Sequence, residues 1–179
     1  MEEVASLRAG YDPIRIGIGI NTGMMMLGTL GEADRMEGSV ISDAVNLAAR
    51  LEGLTKLYKT PLLISEATRN KLTPEAFRMR LIDKVAVKGK EEPVLIHEVL
   101  DAETLEEREG KLAALNAFNK GFEFYQNQQF EKAKSKFREC LESVPEDSVA
   151  ILYVERCKTL LSRGWDPETW DGINRMDIK

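Results

Sequence analysis

Isoleucines at every second position, Ile14, Ile16, Ile18 and Ile20, alternate with Arg15, Gly17, Gly19 and Asn21. A period of two is the pattern of a strand with one apolar face. The glycines leave the other face nearly bare, so a helix or a ligand can approach it closely. Asn21, Thr22 and Gly23 supply turn residues, and 24–30 has the length of a second strand, which predicts a hairpin. Ser42 followed by Asp43 opens a helix with a capping hydroxyl and an acid in its first turn. Its apolar side is Val45, Ala48, Ala49 and Leu51, up to Gly53, while Asn46 and Arg50, four apart, share another side. Further on, 62–64 reads as a short buried strand and Ser65 caps a helix to about Leu72. Segments 78–87 and 94–100 then read as two strands around a turn at Gly89. The predicted fold class is α/β (α+β) with a largely antiparallel sheet.

With 43% hydrophobic and 31% charged residues in 179, the chain has the make-up of a globular protein rather than a disordered one. A net charge of −5 gives no basic field to hold nucleic acid or an anionic membrane, so any phosphate must be bound locally. Apolar runs such as 24–27 are far shorter than the roughly 18 residues of a membrane span, and Met1-Glu2-Glu3 is no signal peptide. Cys140 and Cys157 match neither a metal spacing nor a disulfide framework, and a reducing, cytoplasmic setting is expected.

Three units are expected: 1–100, a charged linker or helix start over 101–110, and an all-α unit over 111–179. Segments 112–125, 130–141 and 149–161 have helical periodicity. Gly121, Phe124, Ala133, Phe137, Cys140 and Pro145 fall at the spacing of a tetratricopeptide repeat. A plain helical hairpin is the other reading. A single repeat cannot bury its own apolar face, so it must lean on the first unit, on another chain or on the third helix. At the end of the chain, Trp165 and Trp170 are expected to plug the last turn against the body.

Several chemistries are excluded by spacing. Gly17, Gly19 and Gly23 are one residue too widely spaced for a dinucleotide fingerprint, and the Gly-Lys pair Gly89-Lys90 lacks the rest of a Walker loop. His97, the sole histidine, alternates with apolar neighbours at a strand end and reads as structural. This histidine lacks the partner motif of a hydrolytic triad, and there is no His/Cys metal cluster.

The segment 35–52, ending Val45-Asn46-Leu47-Ala48-Ala49-Arg50-Leu51-Glu52, resembles the class III adenylate and guanylate cyclases. So do Gly19-Ile20-Asn21-Thr22-Gly23 before it and Val87-Lys88-Gly89-Lys90 after it. The resemblance spans about residues 14–100 and implies a partial ferredoxin-like nucleotide cyclase fold. It also implies attack of a ribose 3′-hydroxyl on the α-phosphate of a nucleoside triphosphate, assisted by Mg2+ or Mn2+, with loss of pyrophosphate. By position it assigns Asn46 to orienting the ribose, Arg50 to stabilising the pentavalent transition state, Lys88 to the terminal phosphates and Ser39 to the purine edge, favouring ATP. Read from the helix alone, Asn46 and Arg50 are a solvated face, Lys88 is a surface turn residue and Asp43 a helix-start acid.

The resemblance also implies two metal-binding aspartates ahead of the Gly-Ile-Asn-Thr-Gly strand. Asp12 and Asp34 do not occupy those positions, so no metal ligand is assigned. Family sites form between two chains, which predicts a second cyclase chain as partner and a chain that is inactive alone, the C-terminal part of a longer protein or a truncated product. Some bacterial cyclases are similar further on too, with a tetratricopeptide-like unit and an ending like Pro167-Glu168-Thr169-Trp170-Asp171-Gly172. The alternative expectation is a non-catalytic dimerisation and protein-interaction module, with a protein partner on the helical unit.

Overall fold

The computed structural model describes residues 16–32, 35–86 and 92–175, with the backbone alone for 27–32 and 35–41. Among these, a five-stranded mixed sheet has the order β1-β4-β6-β5-β7, where β1 is Ile18–Ile20, β4 Leu62–Ser65, β5 Met79–Ala86, β6 Val94–Val99 and β7 Asn174–Arg175. The outer pairs β1/β4 and β5/β7 are parallel, and the inner pairs β4/β6 and β5/β6 are antiparallel. The expectation of a largely antiparallel sheet is thus corrected. A helix crossing over between β1 and β4, and a long helical return before β7, bring those strands back in the same direction.

The expected hairpin is relocated as well. Ile18 pairs with Leu62 of β4, and the second strand, β2 (Met26–Glu32), pairs antiparallel with β3 (Arg35–Ile41) from Met26↔Ile41 to Glu32↔Arg35. In β3 only Met36, Val40 and Ile41 are apolar, too sparse a pattern to show as a strand.

Helix α1, Asp43–Tyr58, begins where Ser42 Oγ accepts from the Val45 amide at 3.3 Å. It runs on past Gly53 because its buried stripe, Leu47, Leu51, Leu54 and Tyr58, continues at helical spacing and offsets a mid-helix glycine costing about 1 kcal/mol. Lys59, at φ 50°, closes it in the left-handed region. Close packing on β1 depends on that strand's glycines. A Cβ on Gly19 would lie 2.5 Å from the Ala48 carbonyl oxygen and collide with the Glu52 amide nitrogen, and one on Gly17 would collide with the Thr55 hydroxyl. The bare face therefore receives a helix, while Ile16, Ile18 and Ile20 stay exposed on the other. Helix α2, Glu66–Arg69, is capped by Ser65 and is shorter than the sequence pattern implies.

After β6 come a 3₁₀ turn, Leu100–Ala102, and four helices: α3 Leu105–Ala113, α4 Leu115–Gln126, α5 Phe130–Ser143 and α6 Ser148–Arg163. Thr104 and Glu107 form a reciprocal capping box on α3, and Asp147 caps α6 through the Val149 and Ala150 amides. Helix α4 approaches α5 at Gly121, where a Cβ would sit 3.1 Å from the Phe137 ring. Phe137 stacks on Tyr153 of α6 at 4.6 Å, and Phe118 meets both rings edge-on. Buried residues from Leu47 in α1, through Leu63, Ile82 and Ile96 in the sheet, to Phe118, Phe137 and Cys157 in the helices form one continuous core. Burial pushes the thiols of Cys140 and Cys157 up to about 12, so neither is a nucleophile at neutral pH.

The end of the chain folds back on this body. Trp170 meets Tyr125 and Phe130 edge-on at 5.3 and 5.0 Å, and Trp165 meets Phe130 at 4.6 Å. Beyond them β7 pairs Asn174 with Val85. In β5 the ladder to β6 slips between Leu81 and Asp83, leaving Ile82 as an extra residue.

Candidate functional site

Asn46 and Arg50 lie one turn apart on α1, Asn46 exposed and Arg50 half-buried, on a side that also exposes Val45 and Ala49. Residues four apart on a helix sit one above the other, so an amide and a guanidinium here can span adjacent polar groups of one ligand. The buried stripe from Leu47 to Tyr58 fixes which way this side faces. Of the other expected site residues, Ser39 lies on β3 with its backbone opposite Gly28, while Lys88, Asp12 and Asp34 lie outside the described residues.

A polar cluster holds the start of α1. Asn21 Nδ2 donates to the Ala44 carbonyl at 3.0 Å, and Asn21 Oδ1 accepts from Ser65 Oγ at 2.6 Å. Thr68 Oγ1 lies 3.2 Å from Thr22 Oγ1 and 3.3 Å from Ser65 Oγ. Thus the Asn-Thr-Gly turn, expected as a chain reversal and as part of the family resemblance, ties β1, β4 and α2 to the helix that carries Asn46 and Arg50. Its use of an amide side chain, with both a donor and an acceptor, was the available signal.

Among the described residues no group of three His, Cys, Asp or Glu is arranged to hold a metal ion. Carboxylates do gather at the junction of sheet and helices, but cations saturate them. Arg80 of β5 gives Nε to Glu98 Oε2 at 2.5 Å and both terminal nitrogens to Asp147 at 2.6 and 2.8 Å, and Lys111 Nζ reaches Glu98 at 2.7 Å and Glu103 at 2.6 Å. Arg80 and Glu98 have no exposed side-chain surface, and the Arg80 guanidinium lies 4.3 Å from the Phe118 ring centre. Burial opposes ionisation of Glu98 and Asp147, yet the Arg80 guanidinium holds both below the usual carboxylate range. Glu103 is the odd carboxylate. Burial and the neighbouring Glu98 push it up to about 7. A divalent cation does not fit here, because the two fixed cations occupy its place.

A cavity of about 450 Å3 opens between α2, the sheet and α4, lined by Glu66, Arg69, Leu81, Leu95, His97 and Phe122 among others. Neither Asn46 nor Arg50 lines it. Burial holds the His97 imidazole below its ordinary pKa, so the neutral ring donates Nε2–H to the Glu66 carboxylate. Its role there is to join β6 to α2.

Residues 2–99 match the family model described as the adenylate and guanylate cyclase catalytic domain. The chain belongs to this cyclase family. It is 38% identical over 149 residues to the terminal-differentiation-specific adenylate cyclase of Dictyostelium discoideum, covering 82% of this chain and 7% of that protein. It is 50% identical over 94 residues to an adenylate cyclase of Anabaena cylindrica, covering 51% of this chain and 19% of the relative. Among solved structures, the adenylyl cyclase CyaB from P. aeruginosa is 34% identical, with 56% of this chain and 51% of that one covered and a TM-score of 0.45. The chain thus spans a fifth or less of the length of these two curated relatives. Members of the family generally use divalent metals, for which the described residues offer no group. Among the described residues no helix is long and apolar enough to cross a membrane.

Proposed function

We propose that this cyclase-family chain supplies the nucleotide-orienting half of an active site that converts ATP to 3′,5′-cyclic AMP and pyrophosphate in intracellular signalling. The ribose 3′-oxygen bonds to the α-phosphorus, the bond from that phosphorus to the departing pyrophosphate breaks, and the 3′-hydroxyl proton is released. Asn46 orients the ribose through its amide, and Arg50 stabilises the charge that develops on the α-phosphate, electrostatic work that is the larger part of phosphoryl-transfer catalysis. Lys88 holds the terminal phosphates as a point charge, and the Ser39 hydroxyl reads the adenine edge. No metal ligand is assigned to this chain; carboxylates of the complementary half would hold the Mg2+ or Mn2+ that would supply charge stabilisation.

The observation that carries the reading is the seating of α1. Gly17 and Gly19 bring the helix against β1, and Asn21 fixes its start, so that Asn46 faces outward with Arg50 one turn on. The partner in this reading is a second cyclase chain. The helical unit over 111–179 is read as a single tetratricopeptide-like repeat with its third helix, supported by Gly121 meeting Phe137 where α4 and α5 cross and by the burial of Ala133.

Mixing tests the proposal. The purified chain is combined with a complete family cyclase whose own asparagine at the position of Asn46 has been replaced, and cyclic AMP formation from ATP with manganese is followed. Restored turnover that is lost with Asn46→Ala or Arg50→Ala in this chain supports the half-site. No restored turnover from a folded chain overturns it in favour of a non-catalytic interaction module.

A further inference from the structure

Asp83 on β5 is where four elements meet. Its Oδ2 accepts from Tyr58 Oη in the last turn of α1 at 2.5 Å, from Arg156 Nη1 on α6 at 2.8 Å and from Asn174 Nδ2 on β7 at 3.1 Å, while Oδ1 accepts from the Lys84 amide at 2.7 Å. The carboxylate is almost wholly buried, so it needs these donors. Burial and the adjacent carboxylate hold the Tyr58 phenol far above its ordinary range, so it remains a donor at any physiological pH. One residue back, the Ile82 carbonyl accepts from Tyr153 Oη of α6 at 2.8 Å. The tail that delivers Asn174 is itself strapped down by the Trp170 contacts and by Gln126 Nε2 donating to the Gly172 carbonyl at 3.1 Å.

We propose that the C-terminal helices and tail position α1 from within the same chain, with Asp83, Arg156 and Asn174 acting through Tyr58 as positioning residues for Asn46 and Arg50. The inference rests on the reading of α1 given above. An α-helix is a stiff rod, so fixing both ends fixes the direction of every side chain between them. Asn21 holds the start of α1 and Tyr58 its end. Arg50 is eight residues from Tyr58, about 12 Å along the axis, so a small turn of the helix at one end reaches the other. A misplacement of about 1 Å at a reacting centre can cost on the order of a hundredfold in rate. Asp83 is the joint because it is reached by the helix to be held and, independently, by the extension that holds it.

The test uses the full chain with Asn174→Ala, Tyr58→Phe, the double variant and Asn46→Ala. Amide exchange is read at residues 54–58 of α1 and at 62–65 of β4, and ATP binding is read by calorimetry. Asn174→Ala is expected to speed exchange at 54–58 by about five- to tenfold, leave 62–65 unchanged and weaken ATP binding by a similar factor. In the Tyr58→Phe background the same substitution is expected to add nothing at α1, because the route is already cut. Equal effects in both backgrounds, or no effect of Asn174→Ala at α1, overturn the inference. ATP binding that is absent or insensitive to Asn46→Ala overturns the nucleotide reading of α1 instead, and the exchange data judge the coupling separately.

Discussion

Arg80 and Asp147, 67 positions apart in the chain, face each other in a two-pronged ion pair at 2.6 and 2.8 Å with virtually no exposure of either side chain. The carboxylate that caps α6 is therefore the same one that neutralises a buried guanidinium of the sheet. Removing one partner strands the other charge away from water, which typically costs about 3–5 kcal/mol. Asp147→Ala also removes the cap, a further loss of about 1 kcal/mol. Urea unfolding should place Asp147→Ala at the high end of this range, whereas Ser148→Ala, next to it and outside the network, should be nearly neutral.

Glu103 makes this junction sensitive to pH. Its carboxyl is pushed up to about 7, so the folded chain binds a proton that the unfolded chain has already released. The stability it contributes is fully present below the ordinary carboxylate pKa and is lost as pH rises through about 7. Glu103→Gln should remove that slope. Thermal unfolding at pH 5 and pH 8 checks it: the variant should gain on the unaltered chain as pH rises, and a difference independent of pH would contradict the assignment. His97, held neutral by burial, adds the opposite trend under acid, but does so in both proteins and cancels from the comparison.

Gly19→Ala places a methyl group against the backbone of α1, at the Ala48 carbonyl and the Glu52 amide, neither of which can rotate away. A loss of about 3 kcal/mol, the upper part of the range for overpacking, is expected in urea unfolding. Gly53→Ala, with open space around its position, should instead stabilise α1 by about 1 kcal/mol.

Asn46→Ala should be silent in unfolding experiments, within about 0.5 kcal/mol, because the side chain is exposed. In the mixed-cyclase assay the same substitution should lower turnover by about a hundredfold, the scale of losing one oriented polar group at a reacting centre. Equal losses in stability and turnover would instead mark Asn46 as a structural residue.

Local grammar carried much of the fold. The cap at Ser42, the strands β4, β5 and β6, the three C-terminal helices and the Trp170 plug follow from side-chain alternation, capping hydroxyls and helical spacing, which act over a few residues. What stayed hidden acts over long separations. The parallel pairing of β1 with β4 depends on a helix that crosses over between them, and the β2/β3 hairpin depends on a strand with few apolar residues. In the candidate site, Asn46 and Arg50 stood out through a family resemblance and their spacing on one helix. The cluster of Asn21, Ser65 and Thr68 did not, because its bonds join residues as far as 48 apart that show no pattern in the sequence. Arg80 and Asp83 fell inside a predicted strand without any mark of their own, and the helices lying over them make them buried hubs.

The extra residue in β5 bears on how this stretch of chain can change length. Strict alternation would send Arg80 and Asp83 to opposite faces, yet the slip at Ile82 lets both meet α6, Arg80 through Asp147 and Asp83 through Arg156. Losing Ile82 would leave the two on one face of a regular strand, but would take away a side chain with no exposed surface and the carbonyl that accepts from Tyr153. Among descendants of this sequence, substitutions at exposed positions such as Lys71 should accumulate freely, while loss of Ile82 should be purged.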